Sequence, residues 1–411
     1  MSNDILALVA AVVKSVIVIV ALLTVFAYMT LIERRVLARF QIRRGPNRVG
    51  PMGLFQPIAD GIKMVMKEQI IPTQAKAFVF LMAPCISIFI AFVAFAVVPL
   101  GNSDAGIFGL AKIWSPVLAD VNVGILYILA MSSLAVYGIV LGGWASGNQY
   151  SLLGALRSAA QMVSYEVSIA ISLAGVLMFS GTLSMVGIVH AQVQQGIWFV
   201  AAQPLAFILY GIAALAEVNR APFDLPEAEQ ELTAGYLTEY SGLRWALYQM
   251  AEYTNMVTVS SIAATLFLGG WTMGGLSGVF GIPILWYAMK VAFFLFVFIW
   301  LRATLPRIRY DQLMQFGWQV LLPLSVLNLV VTAVAVVFDW PWYVTGIFGV
   351  IVLLLMGGIL IRRVRVTKDT VVDVGVTLPA SVRLVNPSAV IGTLPASVRL
   401  VNPSVVTVAQ E

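Results

Sequence analysis

Residues 198–231 read WFVAAQPLAFILYGIAALAEVNRAPFDLPEAEQE, and the two halves of that stretch decide how the chain is to be read. The first half, 198–216, carries no charge and is long enough to cross a hydrocarbon core as a helix, which needs about 20 apolar residues. The second half, 217–231, packs five carboxylates (Glu217, Asp224, Glu227, Glu229, Glu231) and Arg220 into a chain that is only 10% charged. Acid at this density where a span meets water is either an ordinary solvated loop or the mouth of a proton path.

The rest of the chain supplies the membrane. It is 60% hydrophobic with a mean hydropathy of +0.95, whereas a soluble chain carries about 25% charged residues. Apolar runs recur at 5–31, 78–100, 122–142, 160–180, 198–217, 246–268, 283–301, 317–338 and 342–361. The fold class expected is an all-α polytopic membrane protein with about nine transmembrane helices. The first run is too long for a signal-peptide core and lacks a small-residue cleavage pattern, so it reads as a retained span. A single cysteine, Cys85, rules out an intrachain disulfide or a cysteine-based cluster. A single histidine, His190, rules out a bis-histidine haem held by this chain alone, and no GxxxxGK phosphate loop is present. Redox centres and nucleotide chemistry belong to other chains, if anywhere.

Basic residues orient the spans, because loops on the cytoplasmic side are enriched in Lys and Arg. The connection after the first span holds Arg34, Arg35, Arg39, Arg43, Arg44, Arg48, Lys63, Lys67 and Lys76. Following that side through nine crossings gathers 21 of the 24 basic residues, leaving Lys14, Lys112 and Lys290. The N-terminus is therefore expected outside and the C-terminus inside. Within the same connection, residues 53–69 (GLFQPIADGIKMVMKEQ) place Leu54, Phe55, Ile58, Ile62, Val65 and Met66 on one helical face. Gln56, Asp60, Lys63 and Lys67 fall on the other, the pattern of a helix lying in the membrane interface. Such a helix serves as a surface anchor or as one wall of a crevice for an amphiphile.

The acidic stretch continues as a loop over 217–245. Asp224-Leu-Pro-Glu227 has capping-box spacing, and a short helix from there sets Glu227 and Glu231 one turn apart on one face, where like charges repel. Further ionisable groups lie within the spans. Glu166 and Glu252 sit near the inside ends of the fourth and sixth, and Glu33 and Glu217 close the first and fifth. Lys290 lies 12 residues before Arg302, roughly 18 Å deeper at 1.5 Å per residue. A charge at the bilayer centre costs at least about 2.5–3.5 kcal/mol, so each is a functional candidate, the plain alternative being mutual pairing or snorkelling. The outer connections 101–121, 181–197 and 269–282 offer little, and His190 reads as a solvated loop residue. The segment 362–411 is an appended cytoplasmic tail in which TLPASVRLVNPS occurs twice, at 377–388 and 393–404. It is expected to carry no chemistry.

Five segments carry a resemblance. ERRVLARFQIRRGPNRVGPMGLFQPIADGIKMVMKE (33–68), GALRSAAQMVSYEV (154–167), LAEVNRAPFDLPEAEQELTAGYLTEY (215–240), MAEYTNM (250–256) and IWLRATLPRIRYDQLM (299–314) closely resemble the NADH dehydrogenase subunit 1 family. Its members sit in the membrane arm of NADH–quinone oxidoreductase, respiratory complex I. The likeness runs from about residue 20 to 338. It implies a helical bundle sealing a long quinone chamber, with Glu33, Arg34, Asp60, Phe223 and Arg302 bordering that chamber or its entrance. It implies that Glu217, Glu227, Glu229, Glu231, Glu252 and Glu166 form a path of carboxylates leading into the membrane. It further implies a quinone substrate, expected to be ubiquinone, with FMN and iron–sulfur clusters in partner subunits. The partners expected are peripheral quinone-site subunits, small membrane-arm subunits and the lipid bilayer of a bacterial inner membrane, with no nucleic acid. Two other readings stay open: the homologous subunit of an energy-converting hydrogenase, which needs no quinone, and a secondary transporter. The transporter is disfavoured by the absence of a repeat between the two halves.

Overall fold

The computed structural model describes residues 2–101, 115–224, 234–272 and 283–369. The first of its two compact units, 1–354, holds every helix that bears on the site. Among the described residues all regular structure is helical. In chain order the helices are α1 Ser2–Phe40, α2 Gln56–Met66, α3 Ala77–Phe95, α4 Gly124–Ala145, α5 Gln149–Ser180, α6 Met185–Gln195 and α7 Phe199–Ala202. They continue with α8 Pro204–Glu217, α9 Gly242–Phe267, α10 Pro283–Thr304, α11 Tyr310–Phe316, α12 Leu322–Val337 and α13 Trp342–Asp369. A π turn over Gly317–Leu321 joins α11 to α12 without a break. Six of these segments are long and apolar enough to cross a membrane: Leu8–Phe40, Ala77–Phe95, Gly124–Ala145, Gln149–Ser180, Pro283–Thr304 and Tyr310–Val337.

The fifth expected span differs from the single helix the hydropathy suggests. Pro204 cannot donate an amide hydrogen and disfavours a helical residue before it, so the chain breaks at Gln203 and leaves a 14-residue apolar helix, Pro204–Glu217. The break is closed by a buried polar network. Asn328 donates to Gln203 Oε1 at 2.8 Å, Gln203 Nε2 donates to Thr332 at 2.8 Å, and Thr345 donates to the Ala202 carbonyl at 2.9 Å. These groups stand in for the backbone bonds the proline removes, since an unsatisfied polar group in hydrocarbon costs several kcal/mol.

Between 181 and 197 lies a helix rather than a loop. Ser184 caps α6 by accepting from the Gly187 amide at 3.3 Å, and Gly196, with φ +68°, ends it. His190 belongs to this helix, its ring 6.1 Å from that of Trp271, which corrects the expectation of a solvated loop histidine. The low charge of the segment, read as uninformative, is what lets Met185, Ile188 and Val189 bury one face.

The core runs through α4, α5, α8 and α9, with α3 against α4 and α9, and α12 against α5. Small residues let the backbones approach, as in other membrane helix pairs. A Cβ on Gly154 of α5 would stand 2.6 Å from the Gly235 Cα, so the short turn Gly235–Leu237 seats directly on the helix backbone. Helix α1 is the exception to this burial. Only a tenth of its apolar window is enclosed, and Val12, Val16, Ile17 and Val20 face outward. The interfacial helix is shorter than the expected 53–69, and its face of Ile58, Ile62, Val65 and Met66 is exposed. Asp60 points the other way, into the fold.

Candidate functional site: a crevice joined to a string of carboxylates

The site begins where α1 ends its apolar run. Glu33 is 4% exposed and is held from three elements. Arg220 Nη1 donates to its two oxygens at 3.1 and 3.4 Å, the Tyr253 hydroxyl donates at 2.5 Å, and Arg302 from the end of α10 pairs with Oε1. One carboxylate with two guanidinium groups and a phenol is a fully engaged acceptor, which is how a buried charge is tolerated.

Arg220 lies on the loop after α8, and that loop is pinned from α5. Gln161, wholly buried, donates from its amide nitrogen to the Ala216 and Phe223 carbonyls, each at 2.8 Å. Asn219 takes a left-handed φ of +54°, which Asn tolerates better than most residues, and donates to Ser158 at 3.2 Å. The Ile308 amide donates to the Pro222 carbonyl at 3.2 Å, and Arg307 pairs with Asp224 at 2.9 Å. So fixed, Arg220 is 7% exposed, with its guanidinium 4.2 Å over the Tyr253 ring and its Nε 3.5 Å from Glu252. Burial alone would lower its affinity for its proton, but Glu252 and Glu33 outweigh that and hold it above the ordinary guanidinium value. Arg220 is a permanent cation bridging two carboxylates from different helices.

On one side of this cluster opens a crevice of about 450 Å³ between α1, α2, α9 and the end of α10. Glu33, Arg34, Asp60, Arg302 and Tyr253 are among its polar groups, with Thr30 and Gln249, while Phe26, Met64 and Met250 are among its apolar ones. Arg34 pairs with Asp60 at 2.7 Å across the first connection, and Gln56 donates to the same carboxylate at 3.0 Å. Apolar walls with a few convergent polar groups suit an amphiphile with a small polar head.

On the other side the polar groups lead inward. Glu252 and Glu217 line one small cavity with Asn219 and Asn255, of about 30 Å³. Glu217 also lines a second of about 40 Å³ with Asn255 and Ser132. Each exceeds the roughly 10–15 Å³ that one water requires. Ser132 lines that second cavity together with Glu217 and donates to Glu166 at 3.3 Å; Ser133 donates to Glu166 as well. Glu33, Arg220, Glu252, Glu217, Ser132 and Glu166 thus form one continuous polar string.

Four of the five residues expected at a chamber gather at the crevice: Glu33, Arg34, Asp60 and Arg302. Phe223 does not. It lines a separate apolar pocket of about 430 Å³ between α8, α9 and α10. Of the expected path, Glu166, Glu217 and Glu252 come together, while Glu227, Glu229, Glu231 and the capping box after Asp224 lie outside the described residues. Lys290 is a correction. It donates to the carbonyls of Leu268, Gly270 and Thr272 at 2.6, 2.8 and 2.5 Å, capping the C-terminal end of α9 far from the carboxylates. A cation there meets the unsatisfied carbonyls and the negative end of the helix dipole. Sequence reasoning gave no role to Arg220, Tyr253, Ser132 or Asn255. Their signals were present: an arginine inside the acidic motif, a serine pair within an apolar span, and Asn255 one helical turn from Glu252.

Comparison with known proteins gives a consistent result. The family described as NADH dehydrogenase matches residues 13–333. The chain is 51% identical over 348 residues to "NADH-quinone oxidoreductase subunit 8" of Thermus thermophilus, covering 84% of this chain and 93% of that protein. To the corresponding NADH-quinone oxidoreductase chain of Deinococcus deserti it is 52% identical over 350 residues, covering 84% and 88%. With the corresponding chain of Thermomicrobium roseum it shares 55% over 320 residues, covering 76% and 91%.

Proposed function

The chain belongs to the NADH dehydrogenase family, and from that premise we propose that it is a membrane subunit of a bacterial NADH–quinone oxidoreductase, lending one wall to the quinone chamber and passing the charge change of quinone reduction into the membrane. The observation that carries the reading is Arg220, held between Glu33 at the crevice and Glu252 at the head of the inner carboxylates. The enzyme's flavin and iron–sulfur clusters belong to partner subunits and supply the electrons. The residues of this chain bind the substrate's tail, set the potential at its head and relay protons.

Reduction of a quinone to a quinol consumes two electrons and two protons. Within a poorly hydrated crevice, electrons that arrive ahead of protons add negative charge beside Arg302 and Glu33, where the dielectric is low and Coulomb energies are large. Negative charge there attracts Arg220 and repels the Glu33 carboxylate. Drawn towards the crevice, Arg220 leaves Glu252 less compensated, so Glu252 gains affinity for a proton from Glu217 or from water in the shared cavity. Glu217 and Glu166, with Ser132 beside both, then exchange protons in turn. Closely spaced carboxylates titrate as a coupled set, so the string responds as a unit. Glu227, Glu229 and Glu231 are placed in the same path on the strength of the motif alone.

The test is to tag this chain, purify it from native membranes in mild detergent and assay NADH-dependent quinone reduction. Co-purifying flavin and iron–sulfur protein, with activity blocked by a quinone-site inhibitor, supports the reading. A chain that emerges with a hydrogenase, or alone, refutes it.

A further inference from the structure

A second groove, on the opposite flank of α1 from the crevice, runs between α1 and α10. It holds about 570 Å³ and is apolar apart from Tyr28, Ser261 and Tyr287. From Ile17 to Ile32 on α1 it extends about 22 Å at 1.5 Å per residue, more than the roughly 15 Å of one leaflet of hydrocarbon. The apolar window of α1 is the least enclosed of any candidate span, so this groove lies open on the outer surface of the chain.

One end of the groove carries a charge. Leu100, which lines it, donates its amide to the Pro116 carbonyl at 3.3 Å, and the next carbonyl, that of Val117, accepts from Lys14 Nζ at 3.1 Å. Lys14 precedes Ile17 and Val18 by three and four residues and so shares their face of α1. An ammonium has three donors, and among the described residues only the Val117 carbonyl engages one by a hydrogen bond. The charge therefore sits at the mouth of an apolar groove, at the end remote from the strongly basic first connection.

We propose that this groove binds an anionic phospholipid of the leaflet on the Lys14 side, its phosphate on the Lys14 ammonium and one acyl chain laid between α1 and α10. The lipid covers Ala21, Val25, Ala288 and Ala292 and braces α1, the helix that carries Glu33. Charge selects the headgroup, because an ammonium beside the surface favours an anionic lipid, and the groove selects only for a chain. The site is independent of the crevice and of the functional reading built on it.

The experiment uses the intact complex in nanodiscs doped with phosphatidylglycerol or phosphatidylcholine, each bearing a photoreactive diazirine near the end of one acyl chain. Peptides spanning 17–32 and 284–299 are then analysed for label. Phosphatidylglycerol is expected to label both at least about fivefold more than phosphatidylcholine, the discrimination that one lysine gives. Lys14→Gln is expected to abolish the preference, Lys14→Arg to keep it, and Ala292→Trp, which fills the groove, to remove label from both lipids. Equal labelling by the two lipids in the unmodified complex overturns the proposal. So does a preference that survives Lys14→Gln, or cross-linking of the same peptides to a partner subunit in place of lipid.

Discussion

If Arg220 is shared between Glu33 and Glu252, removing the two carboxylates must cost more than the sum of removing each. In Glu33→Gln the guanidinium keeps Glu252 at 3.5 Å, and in Glu252→Gln it keeps Glu33 at 3.1 Å. The variants are made in an Arg302→Gln background, where Arg220 is the one guanidinium left beside Glu33 among the described residues. Each single variant there loses one such charge-assisted contact, at the lower end of about 1.5–3 kcal/mol because glutamine still offers an oxygen. That is roughly tenfold in a rate. The double variant strands a cation whose side chain is 8% exposed, and an uncompensated buried charge costs about 3–5 kcal/mol. The assay is the rate at which the purified, tagged complex loses assembly at a fixed raised temperature, followed by size exclusion and independent of turnover. Each single should accelerate loss about tenfold, and the double at least about 500-fold rather than the roughly 100-fold product. Adding Arg220→Met to the double should recover most of the loss, since it removes the stranded charge. Effects that simply multiply, with no recovery from Arg220→Met, would refute the bridging role.

Other variants probe the neighbouring parts. Ser132→Ala removes the hydroxyl that bonds Glu166 and lines the cavity beside Glu217, and should slow quinone reduction about fivefold at unchanged assembly, as steady-state rates will tell. Arg34→Gln breaks a half-exposed pair with Asp60; since such pairs contribute about 0–1 kcal/mol, KM for a short-chain quinone should rise at most about fivefold with kcat unchanged. Gly154→Ala forces a Cβ against the Gly235 backbone and should lower the yield of assembled chain, judged by immunoblot of membranes, by a cost of about 1–3 kcal/mol. Lys290→Met uncaps α9 and should shorten the complex's heat-inactivation half-life while leaving turnover per assembled complex unchanged.

Much of this was legible because hydrophobic runs and charged motifs act locally. The amphipathic pattern of 53–69 announced a helix with Asp60 on its polar face, and Asp60 does meet Arg34 across the turn. Glu33, Glu166, Glu217 and Glu252 stood out as acids where acids are expensive. Arg220 did not, since its meaning comes from two partners 187 and 32 residues away that only packing brings together. Lys290 misled for the opposite reason. Counting inward from Arg302 gives depth but not the free carbonyls of Leu268, Gly270 and Thr272 that receive it. Phe223 is set by Gln161, which ties its carbonyl to α5 and turns the ring towards Tyr165, and no spacing within 215–240 encodes that.

The relay from the crevice into the membrane is tested most directly at Glu217, the carboxylate that lines both small cavities. The measurement is NADH-driven quinone reduction together with acidification of the lumen, in proteoliposomes holding the complex with Glu217→Gln. The account predicts a fully assembled complex whose proton translocation is lost and whose turnover falls, since a positioned proton-transfer group contributes roughly 10²–10⁴-fold. Unchanged rates of both quinone reduction and proton translocation in that variant would contradict it.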